Sequence, residues 1–146
     1  MIKTLEERIK KHEGYMVKPY TDTLGFLTGG YGHKILPGEE IPTDQEGWEK
    51  LFQEDLQKAK DGADRLIKKN KVEDLPCKAK EIIIEMVYQM GESGVSKFRK
   101  MWKALKQNPK DYSEAANQMM DSRWAKQTYN RARNLSDEMR SISNAS

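Results

Sequence analysis

Cysteine occurs once in the 146 residues, at Cys77. A disulfide framework is thereby excluded. So is a cysteine-based zinc site, because one thiol and two distant histidines, His12 and His33, cannot supply a tetrahedral ligand set. No metal and no cofactor is expected. Long apolar runs are missing as well: the three isoleucines at 82–84 are closed off by Glu81 and Glu85, far short of the ~18 residues of a membrane span. Residues 1–7 alternate charges with single apolar side chains and lack the apolar core of a secretory signal. These absences predict a soluble protein, kept in a cytoplasm and without stable membrane association. Internal repeats and low-complexity linkers are also absent, and the length suits one domain of two small lobes.

Charge, by contrast, is plentiful. Asp, Glu, Lys and Arg make up 34 % of the chain and the mean hydropathy is −0.91, yet apolar spacing persists along most of the length. That combination points to exposed amphipathic helices rather than disorder. The net charge of +3 is unevenly spread, with 9 basic and 11 acidic groups in residues 1–60 against 17 and 12 in residues 61–146. A basic second half suits an anionic partner such as a bacterial wall. A nucleic-acid module would carry a denser basic face and a pI above the 8.8 of this chain, so nucleic acid is not expected as a partner.

Ile2, Leu5 and Ile9 recur at helical spacing and stop near His12, before Gly14, which predicts a first helix of about ten residues. From Tyr15 to His33, β-branched and aromatic residues alternate with Pro19, Gly25, Gly29, Gly30 and Gly32, the punctuation of short antiparallel strands. Thr43-Asp44-Gln45-Glu46 has capping-box spacing and precedes Trp48, Leu51, Phe52, Leu56, Ala59, Ala63, Leu66 and Ile67. A helix of some 25 residues follows from that stripe, around 37 Å long and able to join two lobes. Ile82, Ile83, Ile84, Met86, Val87 and Met90 predict a helix buried on several sides and ended by Gly91. Shorter helices follow: one around Phe98, Met101, Trp102 and Leu105, one capped by Asp111 with Glu114 three residues on, and others through Trp124 to Met139. The fold class is α+β, predominantly helical. A sheet-bearing lobe with the connecting helix over residues 13–60 is joined to a helical lobe over 61–146 that also takes in helix 1–12, with a cleft expected between them.

Glu13 stands at a helix end and Asp22 in a glycine-rich hairpin, with the Thr28 hydroxyl six residues further on. Glycosidic bond cleavage needs such a pair: a protonated carboxyl for the leaving oxygen and an ionised one to activate water or attack the anomeric carbon. A hydroxyl that both donates and accepts can hold the water. Spacing alone leaves a second reading open, in which the carboxylates are solvated or capping groups of a turn.

Glu13, eight residues, Asp22, five residues and Thr28, followed by Gly30-Tyr31-Gly32-His33, resembles the amino-terminal signature of the T-even phage lysozymes, or endolysins. Two further strings resemble the same family: Met86-Val87-Tyr88-Gln89-Met90-Gly91-Glu92-Ser93-Gly94-Val95 and Ser122-Arg123-Trp124-Ala125-Lys126-Gln127-Thr128-Tyr129-Asn130-Arg131-Ala132. Through Glu49-Lys50-Leu51-Phe52-Gln53-Glu54-Asp55 as well, the likeness covers most of residues 5–135. It implies a two-lobed lysozyme-like fold and hydrolysis, usually with inversion, of the β-1,4 bond between N-acetylmuramic acid and N-acetylglucosamine in bacterial peptidoglycan. Glu13 is then the general acid, and Asp22 with Thr28 positions the water. Arg131 matches the arginine that pairs with the acid, Gln89 a cleft-facing substrate contact, and His33 with Asp55 an ion pair tying the sheet to the long helix. Tyr31 is open between sugar contact and packing. Trp102 and Trp124 are expected in the core, Cys77 as a small packing residue, and the run Lys68-Lys69-Asn70-Lys71 as a solvated turn, with wall or nucleic-acid contact as its other reading.

Two departures stand out. The segment from His33 to Thr43 is shorter than in the best-known T-even members, which predicts a trimmed first lobe. Glu85 occupies a position that is typically a neutral amide in the family, so it is expected to compete for Arg131 or to raise the pKa of Glu13. The resemblance also implies a monomer that accumulates in the host cytoplasm and needs a separate membrane-permeabilising protein to reach the wall. The competing functions are a lytic transglycosylase on a related fold, which needs no water-positioning pair, and a non-catalytic wall-binding module, which should have lost one of Glu13, Asp22, Thr28 and Arg131.

Overall fold

The computed structural model describes residues 4–142; Ile2, the first apolar position of the predicted stripe, lies outside them. The chain divides into two compact units, Met1–Lys58 and Ala59–Ser146.

The first unit opens with helix α1, Leu5–Glu13, whose Thr4 side chain accepts a hydrogen bond from the Glu7 amide at 3.2 Å. Gly14, at φ 73°, ends it and returns its N–H to the Lys10 carbonyl, a conformation open to glycine at no steric cost. Strands β1 (Met16–Thr21), β2 (Leu27–Gly30) and β3 (His33–Lys34) form an antiparallel sheet in the order β1-β2-β3. Tyr20 pairs with Thr28 and Thr28 with Lys34, and the β1–β2 register is irregular between Met16 and Tyr20. Helix α2, Gln45–Lys69, has the 25 residues that the stripe predicts, and its first part belongs to this unit. Its cap is displaced by one residue from the expected position: the Asp44 carboxylate, not the Thr43 hydroxyl, takes the Gly47 amide at 2.9 Å. Trp48 carries the sheet. It is 1 % exposed, its indole N–H donates to the Val17 carbonyl at 3.0 Å, and a Cβ on Gly29 or Gly30 would overlap its ring. Burying Trp48, Phe52 and Leu56 stabilises this unit by roughly 2–3 kcal/mol each. Two polar contacts link α1 to the first part of α2, Lys10 to Glu49 at 2.7 Å and Gln53 to Glu6 at 3.4 Å.

The second unit takes the end of α2 and helices α3 (Cys77–Ser96), α4 (Arg99–Lys106), α5 (Tyr112–Met120), α6 (Arg123–Gln127) and α7 (Tyr129–Arg140). Ile82, Ile83 and Met86 of α3 are fully buried, as their all-round apolar pattern requires. Gly91 breaks α3 at φ 82°, but the helix then resumes to Ser96 instead of stopping. Asp111 caps α5 through the Glu114 amide at 3.0 Å, as its spacing predicts. Trp102 and Trp124 are buried, at 2 % and 7 % exposure. The expectation for Cys77 is corrected: the thiol is exposed, because it opens α3 in a first turn that is polar on its outer side. Among the described residues no helix is long and apolar enough to cross a membrane.

Candidate active site

Glu13 closes α1, half-buried. Its carboxylate lies against the turn between β2 and β3, so closely that a Cβ on Gly32 would overlap it, with Glu13 Cδ at 2.8 Å. Gly32 also has φ 76°, so two independent demands make glycine necessary there.

Asp22 follows β1 in the hairpin. Its Oδ1 accepts the amides of Leu24 and Phe26 at 2.9 and 2.8 Å, an Asx-type turn that fixes the carboxylate. Oδ2 accepts no hydrogen bond from the described residues. Thr28, 4 % exposed on β2, donates its hydroxyl hydrogen to the Phe26 carbonyl at 3.1 Å, and that same carbonyl accepts the Asp22 amide at 2.8 Å. One backbone carbonyl therefore ties the two expected water-positioning residues together. Each keeps acceptor capacity: Asp22 at Oδ2, Thr28 at its hydroxyl oxygen.

Support for this hairpin comes from His33. Its Nδ1 is 2.7 Å from Asp55 Oδ2 on α2, and its Nε2 is 2.7 Å from Glu39 Oε2. The Asp55 hydrogen bond, opposed by burial and helped by Glu39, raises the His33 pKa, which favours the imidazolium form between the two carboxylates. Burial pushes the Glu39 pKa up, but the Leu36 amide and His33 outweigh it and the net direction is down. The His33–Asp55 contact is the one the resemblance implies. Glu39 is an addition that no motif announces; its only signal is a carboxylate placed just beyond the Pro37-Gly38 turn.

Tyr31 is 8 % exposed. Tyr15 lies 4.9 Å and Phe52 5.3 Å from its ring, with Lys10 Nζ 4.9 Å above it. A ring enclosed in this way offers a sugar no more than an edge.

The other expected residues are in the second unit. Gln89 Oε1 accepts the Trp124 indole N–H at 2.8 Å, and its Nε2 faces Thr128 Oγ1 at 3.4 Å. Thr128 lies inside a string that the sequence singles out, though no role is visible for it there. Arg131 Nε sits 3.5 Å from Glu85 Oε2, their side chains 10 % and 0 % exposed. The ion pair that competition by Glu85 requires is thus formed inside this unit. Among the described residues no group of three or more His, Cys, Asp or Glu converges as a metal site.

Comparison with known proteins matches the phage lysozyme family over residues 10–139. Two relatives from Dictyostelium discoideum, named probable T4-type lysozyme 2 and probable T4-type lysozyme 1, are 30 % and 29 % identical, each covering 90 % of this chain and 91 % of the relative. The pre-baseplate central spike protein Gp5 of Enterobacteria phage T4 is 28 % identical over 88 % of this chain, which spans only 26 % of that protein.

Proposed function

Because the chain belongs to the phage lysozyme family and is therefore a glycoside hydrolase of the bacterial cell wall, we propose that it cleaves the β-1,4 bond between N-acetylmuramic acid and N-acetylglucosamine of peptidoglycan with inversion. Glu13 protonates the leaving oxygen, and Asp22 with Thr28 presents the attacking water. The observation that carries this reading is the division of labour at Phe26. Its carbonyl accepts the Thr28 hydroxyl hydrogen, and its N–H donates to Asp22 Oδ1. The remaining Asp22 oxygen and the Thr28 oxygen are then both acceptors. A water that gives one hydrogen to each has its lone pair directed outward, toward an anomeric carbon. A single displacement by that water on the face opposite the leaving group gives inversion.

Such a pair has no task in a transglycosylase, where the muramic 6-hydroxyl is the nucleophile. A wall-binding relic would have no reason to keep Glu13, Asp22 and Thr28 together, whereas Arg131 has a structural reason in its ion pair with Glu85. Substrate contact falls to the second N–H of the Gln89 amide and to the Tyr31 edge. His33 and Asp55 hold the sheet in place. On this reading the protein works as a monomer, collects in the host cytoplasm and reaches the wall through a separate membrane-permeabilising protein.

The test is digestion of purified peptidoglycan by the chain and by Glu13→Gln, with mass spectrometry of the released fragments. Reducing muramic ends from the former and a loss of about 10²-fold or more in the variant are expected. Anhydro ends would move the reading to a transglycosylase, and no release from the folded wild-type chain would overturn the assignment.

A further inference from the structure

A depression of about 390 Å³ in the second unit is lined by Lys69, Lys71, Arg99, Lys103 and Lys106, with Trp102 beneath them. All five cations are exposed. None makes an ion pair or side-chain hydrogen bond among the described residues. Lys69 acts on Glu92 only as a minor influence beside Arg65, which pairs with that carboxylate at 2.7 Å.

The fold accounts for part of this arrangement only. Lys103 and Lys106 in the last turn of α4 suit the carboxy-terminal end of its dipole, but with Arg99 they share one face at i, i+4 and i+7, where like charges oppose helix formation. Lys71, two residues beyond the end of α2, is in the left-handed region at φ 56°. Its N–H returns to the Lys68 carbonyl and that of Val72 to Ile67, both at 3.1 Å, the position in this motif that glycine usually fills. A lysine there meets strain that glycine avoids, and it projects a further charge beside Lys69.

We propose that this pocket binds the phosphates of a phosphodiester-linked anionic polymer carried by the bacterial wall, and so retains the enzyme at its substrate; the choice of a wall polymer rests on the hydrolase reading above. Five cations with no carboxylate among them suit a polyanion of repeated charge, which the four lysines meet as mobile point charges of the kind that bind phosphate. Single-stranded nucleic acid is disfavoured because the one aromatic at the site, Trp102, is 2 % exposed and its indole N–H is given to the Val95 carbonyl at 3.1 Å, so no ring is available to stack on bases. Cations of one sign around a concave surface concentrate the field on an anion.

The experiment titrates the full chain with purified poly(glycerol phosphate) and, separately, with duplex DNA across 50–200 mM salt. In parallel, hydrolysis is measured on sacculi stripped of phosphodiester polymer by hydrofluoric acid. Wild type should bind poly(glycerol phosphate) more tightly than DNA. The double variant Lys103→Gln/Lys106→Gln should bind it about tenfold more weakly, with a log–log salt slope shallower by roughly 1–2, while hydrolysing stripped sacculi at the wild-type rate. Lys50→Gln/Lys126→Gln, which removes the same charge elsewhere, should change neither. Equal weakening by the two double variants would overturn the pocket, and tighter binding of DNA through the same lysines would overturn the wall polymer. Hydrolysis of stripped sacculi without polymer binding defeats this proposal alone. Binding through the pocket without hydrolysis supports it and defeats the hydrolase reading instead.

Discussion

At Asp22 the two carboxylate oxygens do different work, and a single substitution separates them. Asn presents the same oxygen to the Leu24 and Phe26 amides but puts an NH2 where Oδ2 stands, so the hairpin anchor survives while the water acceptor becomes a donor. Asp22→Asn should therefore unfold within about 0.5 kcal/mol of wild type and lose about 10²–10⁴-fold in turnover, read by urea titration and muropeptide release on the same preparation. A parallel fall in stability and activity would mean that Asp22 serves only the turn. This residue-level detail explains how much chemistry is legible in a sequence. The types and spacing of Glu13, Asp22 and Thr28 can be read there, because the resemblance rests on them. The Phe26 peptide group that joins Asp22 to Thr28 cannot, since any residue type supplies an amide and a carbonyl. Gly32 is a middle case: its presence in Gly30-Tyr31-Gly32-His33 is visible, but its reason, the Glu13 carboxylate lying on its backbone, is not.

Among the elements, the short strand β3 depends on the clamp of His33 between Asp55 and Glu39. The raised His33 pKa adds stability that is fully present below the unfolded value near 6.5 and is lost as pH rises through the higher folded value. The lowered Glu39 pKa adds stability present above about 4.5 and lost as pH falls through its lower folded value. Urea midpoints should thus peak between about pH 4.5 and 6.5, and Glu39→Gln should flatten both flanks; an unchanged profile would deny the clamp its role. Helices α3 and α7 present the opposite case, a buried ion pair. Removing Arg131 leaves the fully buried Glu85 without this cation, so Arg131→Ala should cost about 3–5 kcal/mol. Glu85→Gln, which removes the charge that needs compensation, should cost markedly less, and calorimetry of the two variants decides the order. Long elements are the legible ones. The 25 residues of α2 carry enough turns for a 3.6-residue period to be unmistakable. The two-residue β3 and the irregular register between Met16 and Tyr20 leave no period to detect. The Asp44 cap differs from the expected Thr43 because both residues can cap and only backbone geometry chooses between them.

For the molecule as a whole, apolar burial is distributed unequally. Among the described residues the first unit buries five apolar side chains, Ile9, Tyr31, Trp48, Phe52 and Leu56, and the second buries 24. Free energy of local opening follows the buried apolar area that must be exposed. The first unit also has a sheet of only three short strands with an exposed flank of Met16, Val17, Leu24, Phe26 and Leu27, and it depends on packing against Trp48 of α2 for its stability. It holds Glu13, Asp22 and Thr28. The unit that bears the proposed chemistry is accordingly the less stable one, and it should open below the global unfolding free energy while α3, α5 and α7 stay folded. Native-state hydrogen exchange read by mass spectrometry should show β1 and β2 amides exchanging through an opening at least 2 kcal/mol easier than those of α3. On heating, hydrolysis should then be lost before the helical signal falls. Equal protection of the strands and of α3 would show that the two units unfold as one, and would place the origin of the strands' stability outside their own small core.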